Sequence, residues 1–156
     1  MNRGGALLRA ATVAVVVLVL DQGTKALVRG SIDRGERIDV LPGVDLINTR
    51  NTGVAFGLFS GGGWIVAAVA TLALLGLLAF FVTHLGRRLV WLPTGLLVGG
   101  ATGNLIDRAH QGYVTDFVDL PLWPAFNVAD AAITIGVLTL LYVLEGPPSR
   151  GSAGRT

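Results

Sequence analysis

The sequence predicts an integral membrane protein, mainly α: a four-transmembrane-helix bundle with a small β-hairpin or sheet lobe outside the bilayer and a short amphipathic surface helix. Three observations predict it. Of 156 residues, 52% are hydrophobic and only 14% charged, too apolar a balance for an ordinary water-soluble domain. Four apolar runs approach the length of about 20 residues that a helix needs to cross the hydrocarbon core. Between the first two runs, the stretch 29–60 changes to mixed charge with turn signals, as an extramembrane lobe would.

The first span is expected over 7–28. A basic start followed by apolar residues has the form of a cleavable signal peptide. However, Val19-Leu20-Asp21 offers no small-x-small cleavage site, and apolar character resumes at Ala26. Asp21 and Lys25 lie four apart on this span, so they share a helix face and can neutralise each other as a structural ion pair. In the lobe, 38–41 and 44–49 alternate in character around Pro42-Gly43, which predicts a hairpin over 38–49. Asn51 or Thr52 is placed to cap a short amphipathic helix over 51–59, with Val54, Phe56, Leu58 or Phe59 in the membrane surface. Ser60 to Gly63 reads as a flexible joint.

The second span, 64–83, has no charge, and Trp64 suits an interfacial position. His84 to Arg88 is a short basic turn in which His84 reads as an interfacial side chain. The third span covers 89–106, with Trp91 at the interface and Pro93 tolerated in the first turn. Gly95, Gly99 and Gly103 recur every four residues, a face along which a second helix can approach closely. Asn104, Asp107 and Arg108 form a polar edge where this helix leaves the membrane. The fourth span, 125–144, puts Asn127 and Asp130 in its first two turns, where the positive end of the helix favours a carboxylate. Residues 1–145 are expected to form one domain, and 146–156 have the composition of a disordered tail. Four spans put both termini on one side of the bilayer. Basic residues divide six against six between the two sides; their placement in short acid-poor segments favours termini in the cytoplasm.

Composition also removes function classes. With no cysteine, thiolate nucleophiles and cysteine metal sites are excluded, and His84 and His110 without an H-E-x-x-H pattern give no zinc protease. No cofactor or metal is expected. The net charge of +2 comes without a basic stripe, so nucleic acid is not an expected partner. A Ser-Lys peptidase is disfavoured, because the only lysine is Lys25 and no serine lies in a polar cluster. A small transporter or channel is the competing class, using intramembrane acids as ion sites, but no internal repeat supports it.

The chemistry points to 116–130. Carboxylates near hydrocarbon cost a few kcal/mol. Two acids of this stretch converging on one water would justify that cost, since like-charged carboxyls a few ångströms apart share a proton and so divide acid and base roles. The alternative on these residues alone is that Asp116 and Asp119 are loop acids and Asp130 a helix cap or a partner for an arginine.

Taken together, Asp21-Gln22-x-x-Lys25, Asn51-Thr52-Gly53-Val54-Ala55-Phe56, Gly99-Gly100-Ala101-x-Gly103-Asn104-x-Ile106-Asp107-Arg108, Val114-x-Asp116-Phe117 and Phe126-Asn127-x-Ala129-Asp130 closely resemble, in order, the motifs of the lipoprotein signal peptidases, or signal peptidases II. The resemblance covers Leu7 to Glu145, with no departure at a motif position. It implies an aspartic endopeptidase of the bacterial inner membrane that cuts prolipoproteins immediately before a diacylglyceryl-modified cysteine. By that likeness Asp116 and Asp130 are the catalytic pair. Asn51, Asn104, Arg108 and Asn127 hold the substrate backbone and order the site, and Asp21, Lys25 and Asp107 support it. The implied partners are a lipid-modified precursor and membrane lipid, with the enzyme acting as a monomer. Its active site is expected near the extracytoplasmic membrane surface, where the family's small sheet matches the hairpin 38–49 and its surface helix 51–59.

Overall fold

The structure, a computed structural model, describes residues 3–53, 63–84 and 89–145. The first helix, α1 (Arg3–Ser31), is longer than the expected span at both ends. At 1.5 Å per residue its 29 residues reach about 43 Å, more than the hydrocarbon thickness of about 30 Å. Arg29 to Ser31, assigned by sequence to the lobe, are therefore its last turn. Ala6, Ala10, Val17, Asp21, Lys25 and Val28 are its buried residues, a single stripe at helical spacing. Leu8, Val15, Val19 and Leu27 point outward and are more than half exposed.

Strands β1 (Arg37–Leu41) and β2 (Val44–Asn51) form the expected hairpin, and its turn uses Gly43 at φ 78°, a left-handed conformation that favours glycine. Helix α2 (Gly63–Thr83) follows, uncharged and largely apolar, and packs on the third helix, α3 (Trp91–Gln111). Helix α3 is the hub, meeting α1, α2 and the last helix. Its glycine face explains how. A Cβ built on Gly95 or Gly99 would lie 2.7 Å from the carbonyl oxygen of Ala10 or Ala14 on α1, so only glycine admits this separation. α3 ends at Gln111, five residues beyond the expected 106, and the capping Gly112, with its φ of 75° and N–H bond to the Arg108 carbonyl, closes the last turn.

Two strands that sequence reading did not anticipate follow: β3 (Val114–Leu120) and β4 (Trp123–Phe126). With β1 and β2 they make one antiparallel sheet in the order β1-β2-β3-β4. The lobe is thus assembled from two segments of the chain, 37–51 and 114–126. The last helix, α4 (Val128–Glu145), starts three residues later than the expected 125, because Trp123 to Phe126 pair with β3 instead of coiling. Asn51 likewise ends β2 and does not open a helix.

The surface helix expected over 51–59 lies from Val54 onward outside the described residues. So do the joint at 60–62, the arginine turn at 87–88, the side chain of Trp64 and the tail 146–156.

The sheet sits at the bundle end where α1 and α3 finish and α4 begins. Phe117 of β3 packs there on Val28 and Ile32, with Leu46, Val118 and Val128 around them. α1 and α4 are long and apolar enough to cross a membrane, and α2 contributes a shorter apolar stretch, Ala68–Thr83. The exposed Leu and Val side chains of all three form an apolar surface far larger than a water-soluble monomer exposes. The fold is thus a bundle of apolar helices carrying a small antiparallel sheet at one end.

Candidate active site

At the junction of sheet and bundle, β3 carries Asp116 inward, paired across from Thr49 of β2 and only 2% exposed. One strand edge away, Asn51 closes β2. Its Oδ1 accepts the Gly53 N–H at 2.8 Å, which leaves its Nδ2 to donate to Asp116 Oδ2 at 2.9 Å. The other Asp116 oxygen, Oδ1, accepts Asn127 Nδ2 at 2.7 Å.

Asn127 is the N-cap of α4, and its position outside the helix is what lets it serve both acids. Its Oδ1 accepts the Asp130 backbone N–H at 2.9 Å, while Asp130 Oδ2 accepts the Asn127 N–H at 3.2 Å. This reciprocal pair is a capping box with an acid at the third helical position. It satisfies helix-end N–H groups and fixes the Asp130 carboxylate where the helix dipole is positive. The remaining Asp130 oxygen, Oδ1, accepts Asn104 Nδ2 from α3 at 2.8 Å.

Each asparagine amide is oriented by a donor that leaves no choice. Asn104 Oδ1 takes Lys25 Nζ at 2.9 Å, and an ammonium can only donate. Asn127 and Asn51 have their oxygens on backbone N–H groups. All three therefore turn N–H groups toward the aspartates. All four carboxyl oxygens receive a neutral donor, and no lysine or arginine is salt-bridged to either acid among the described residues. Burial pushes the Asp116 carboxyl up to about 6; Asn51 opposes this by donating to the carboxylate, and the charge of Asp130 adds to it.

Behind the acids lies a charged cluster. Lys25, fully buried, reaches Asp21 Oδ2 at 2.8 Å and Asp107 Oδ2 at 3.1 Å. Asp21 Oδ1 accepts the Ala129 N–H at 2.9 Å, so the first helix clamps the start of the fourth. Gln22 Nε2 lies 3.1–3.2 Å from Asp21 Oδ2, the Gly103 carbonyl and Asp107 Oδ1. Arg108 donates from one terminal nitrogen to the Asn104 carbonyl at 3.3 Å, while its buried Nε meets no partner among the described residues.

The nine residues named from sequence thus fall in one hydrogen-bonded network. Three others went unassigned. Gln22 bridges Asp21 to Asp107. Thr115 receives Arg29 on its hydroxyl at 3.2 Å and Asn127 Nδ2 on its carbonyl at 3.4 Å. Arg29 also lies 3.8 Å from Asp107. The i, i+4, i+8 spacing of Asp21, Lys25 and Arg29 was the available signal for the last. Asp119 is no part of the site; it pairs with Arg37 at 2.6 Å on the sheet.

Residues 13–145 match a family model described as signal peptidase (SPase) II. The lipoprotein signal peptidase of Halothermothrix orenii is 38% identical over 133 residues, covering 85% of this chain and 92% of the relative. That of Moorella thermoacetica is 40% identical over 144 residues, covering 91% and 95%. A solved structure described as a bacterial membrane enzyme superposes with a TM-score of 0.80 at 30% identity, covering 98% of this chain and 94% of the other. Family model, relatives and fold agree over nearly the whole chain, which belongs to the signal peptidase II family of aspartic membrane peptidases.

Proposed function

We propose that this chain removes the signal peptide of diacylglyceryl-modified prolipoproteins, cutting immediately before the lipidated cysteine, with Asp116 and Asp130 as the catalytic pair. The observation that carries the pairing is Asn127. One residue donates its side-chain amide to Asp116 and its backbone N–H to Asp130, so the two carboxyls face one short span of chain.

In this mechanism Asp130, at the helix start, takes a proton from a water as that water attacks the scissile carbonyl. Asp116, whose burial favours the neutral acid, gives its proton to the carbonyl oxygen, and a gem-diol forms. On collapse, Asp130 returns its proton to the departing amine and Asp116 recovers one from a diol hydroxyl. Both acids end as they began. Arg108, whose Nε–H has no partner among the described residues, and the three asparagines position the substrate backbone. The cluster of Asp21, Lys25 and Asp107 holds α1, α3 and α4 in register beneath them.

The reading extends to topology. α1, α2, α3 and α4 are four spans of a single domain that acts as a monomer in the bacterial inner membrane. Termini and tail are cytoplasmic, with the sheet at the extracytoplasmic surface. Diacyl chains held in the bilayer then set the height of the scissile bond, which makes recognition a matter of depth and backbone.

Asp116→Asn and Asp130→Asn variants, each checked for an unchanged circular dichroism spectrum, are expected to cleave a lipidated precursor at least about a hundredfold more slowly. Unlipidated precursor should resist the parent enzyme. Near-parental turnover in either variant removes the pair from the mechanism; cleavage indifferent to lipidation removes the substrate assignment.

A further inference from the structure

The β3–β4 turn is built against the usual rules for a small soluble hairpin. Leu122 adopts φ 63°, a left-handed conformation rare for a branched residue, and in doing so stands 105% exposed. Trp123 beside it is 65% exposed. The neighbouring β1–β2 turn lies against it, since a Cβ on Gly43 would sit 3.7 Å from Pro121, and that turn exposes Leu41. The two turns therefore make one apolar fringe at the free end of the sheet.

What covers this fringe is indicated by its continuity with α4. A groove of about 360 Å³ runs between Leu120, Trp123 and Phe126 on the sheet side and Ala131, Thr134 and Ile135 on the helix, with Asp130 at its head. Trp123 thus hangs beside the second turn of α4, on the face continued by the exposed Leu138 and Leu141. Above the fringe the character reverses. Arg37 spans Asp45 at 2.5 Å and Asp119 at 2.6 Å, and all three border the same hollow as Leu122 and Trp123. An apolar tip, an indole at the boundary and a charged row behind it match the polarity gradient of a membrane interface.

We propose that the β3–β4 turn is a membrane anchor: Leu122 and Trp123, with Leu41 beside them, insert into the bilayer next to α4. Because β3 also carries Asp116, the anchor ties the catalytic sheet to a fixed depth. The proposal rests on α4 spanning the membrane and is independent of which residues perform catalysis.

The chain has no cysteine, so single introduced cysteines report cleanly. Leu122→Cys, Leu138→Cys and Arg34→Cys proteins are spin-labelled and reconstituted in phosphatidylglycerol and phosphatidylethanolamine vesicles. Accessibility to oxygen, which concentrates in lipid, is compared with accessibility to a water-soluble nickel chelate. Expected is a ratio at 122 close to that at 138 and several-fold above that at 34. A label at 122 that follows 34 while 138 remains in lipid overturns the anchor and leaves α4 as a span. A label at 138 open to the chelate overturns the span, and the anchor with it. A label at 122 closed to both reagents is covered by protein and also overturns the proposal.

Discussion

Replacing Lys25 by methionine keeps the stem of the side chain and removes its charge. In the folded chain the ammonium lies 2.8 Å from Asp21, 3.1 Å from Asp107 and 2.9 Å from Asn104, with none of it exposed. Counting Arg29 at 3.8 Å from Asp107, the cluster holds two acids and two bases, and the variant leaves one carboxylate charge without a partner. Removing one member of a buried ion pair costs about 3–5 kcal/mol, because the other stays desolvated and uncompensated. At about 2–4 °C per kcal/mol for a chain of this size, the melting temperature in detergent micelles should fall by roughly 6–20 °C. Asn104 also loses the donor that fixes its amide, so Asp130 is held less well; a misplacement of 1 Å in a catalytic group costs up to about a hundredfold in rate. Differential scanning fluorimetry and precursor cleavage read the two effects. The double variant Lys25→Met with Asp21→Asn restores neutrality and should recover at least half of the lost melting temperature. A Lys25→Met protein that melts with the parent, or a double variant that melts lower than the single, would refute the charge-balance argument.

Gly103→Ala places a Cβ 2.5 Å from Asp21 Oδ2, the oxygen that holds Lys25, and should cost about 1–3 kcal/mol as overpacking; Gly76→Ala, whose Cβ meets nothing, is the control expected to leave melting unchanged. The pH dependence of kcat/KM tests the acid role of Asp116. Its carboxyl is raised to about 6, so the neutral acid is present below that pH and lost above it, and the rate should fall on the alkaline side. Asn51 donates to the ionised form and so favours ionisation; Asn51→Ala should move that falling limb to higher pH, and a limb that stays or moves down contradicts the assignment.

Much of the site was legible because its residues sit at short, regular spacings. Asp21 and Lys25 at i and i+4, and Asn104, Asp107 and Arg108 at i, i+3 and i+4, announce shared helix faces whatever the helices pack against. The glycine face of α3 was legible for the same reason, and the structure spends it on α1 at Gly95 and Gly99. Asn127 was singled out from sequence but placed inside the fourth helix, whereas it lies just before it. Read inside a helix from 125, it is one polar residue of a first turn. As the cap of a helix from 128, it is the group that joins the two acids.

The sequence by itself determined the membrane class, the positions of the apolar helices and the identities of the polar residues, since chain hydrophobicity and helical periodicity are local properties. Tertiary structure alone decided that 114–120 and 123–126 are strands. Their backbone groups are satisfied by pairing with β2, some seventy residues away, and with each other, and Trp123 to Phe126 carry no alternation that announces it. That pairing delays α4, frees Asn127 to cap it and brings Asp116 to face it. The direction of each asparagine amide is likewise set by a donor from another segment or a following turn, and composition has no record of such contacts.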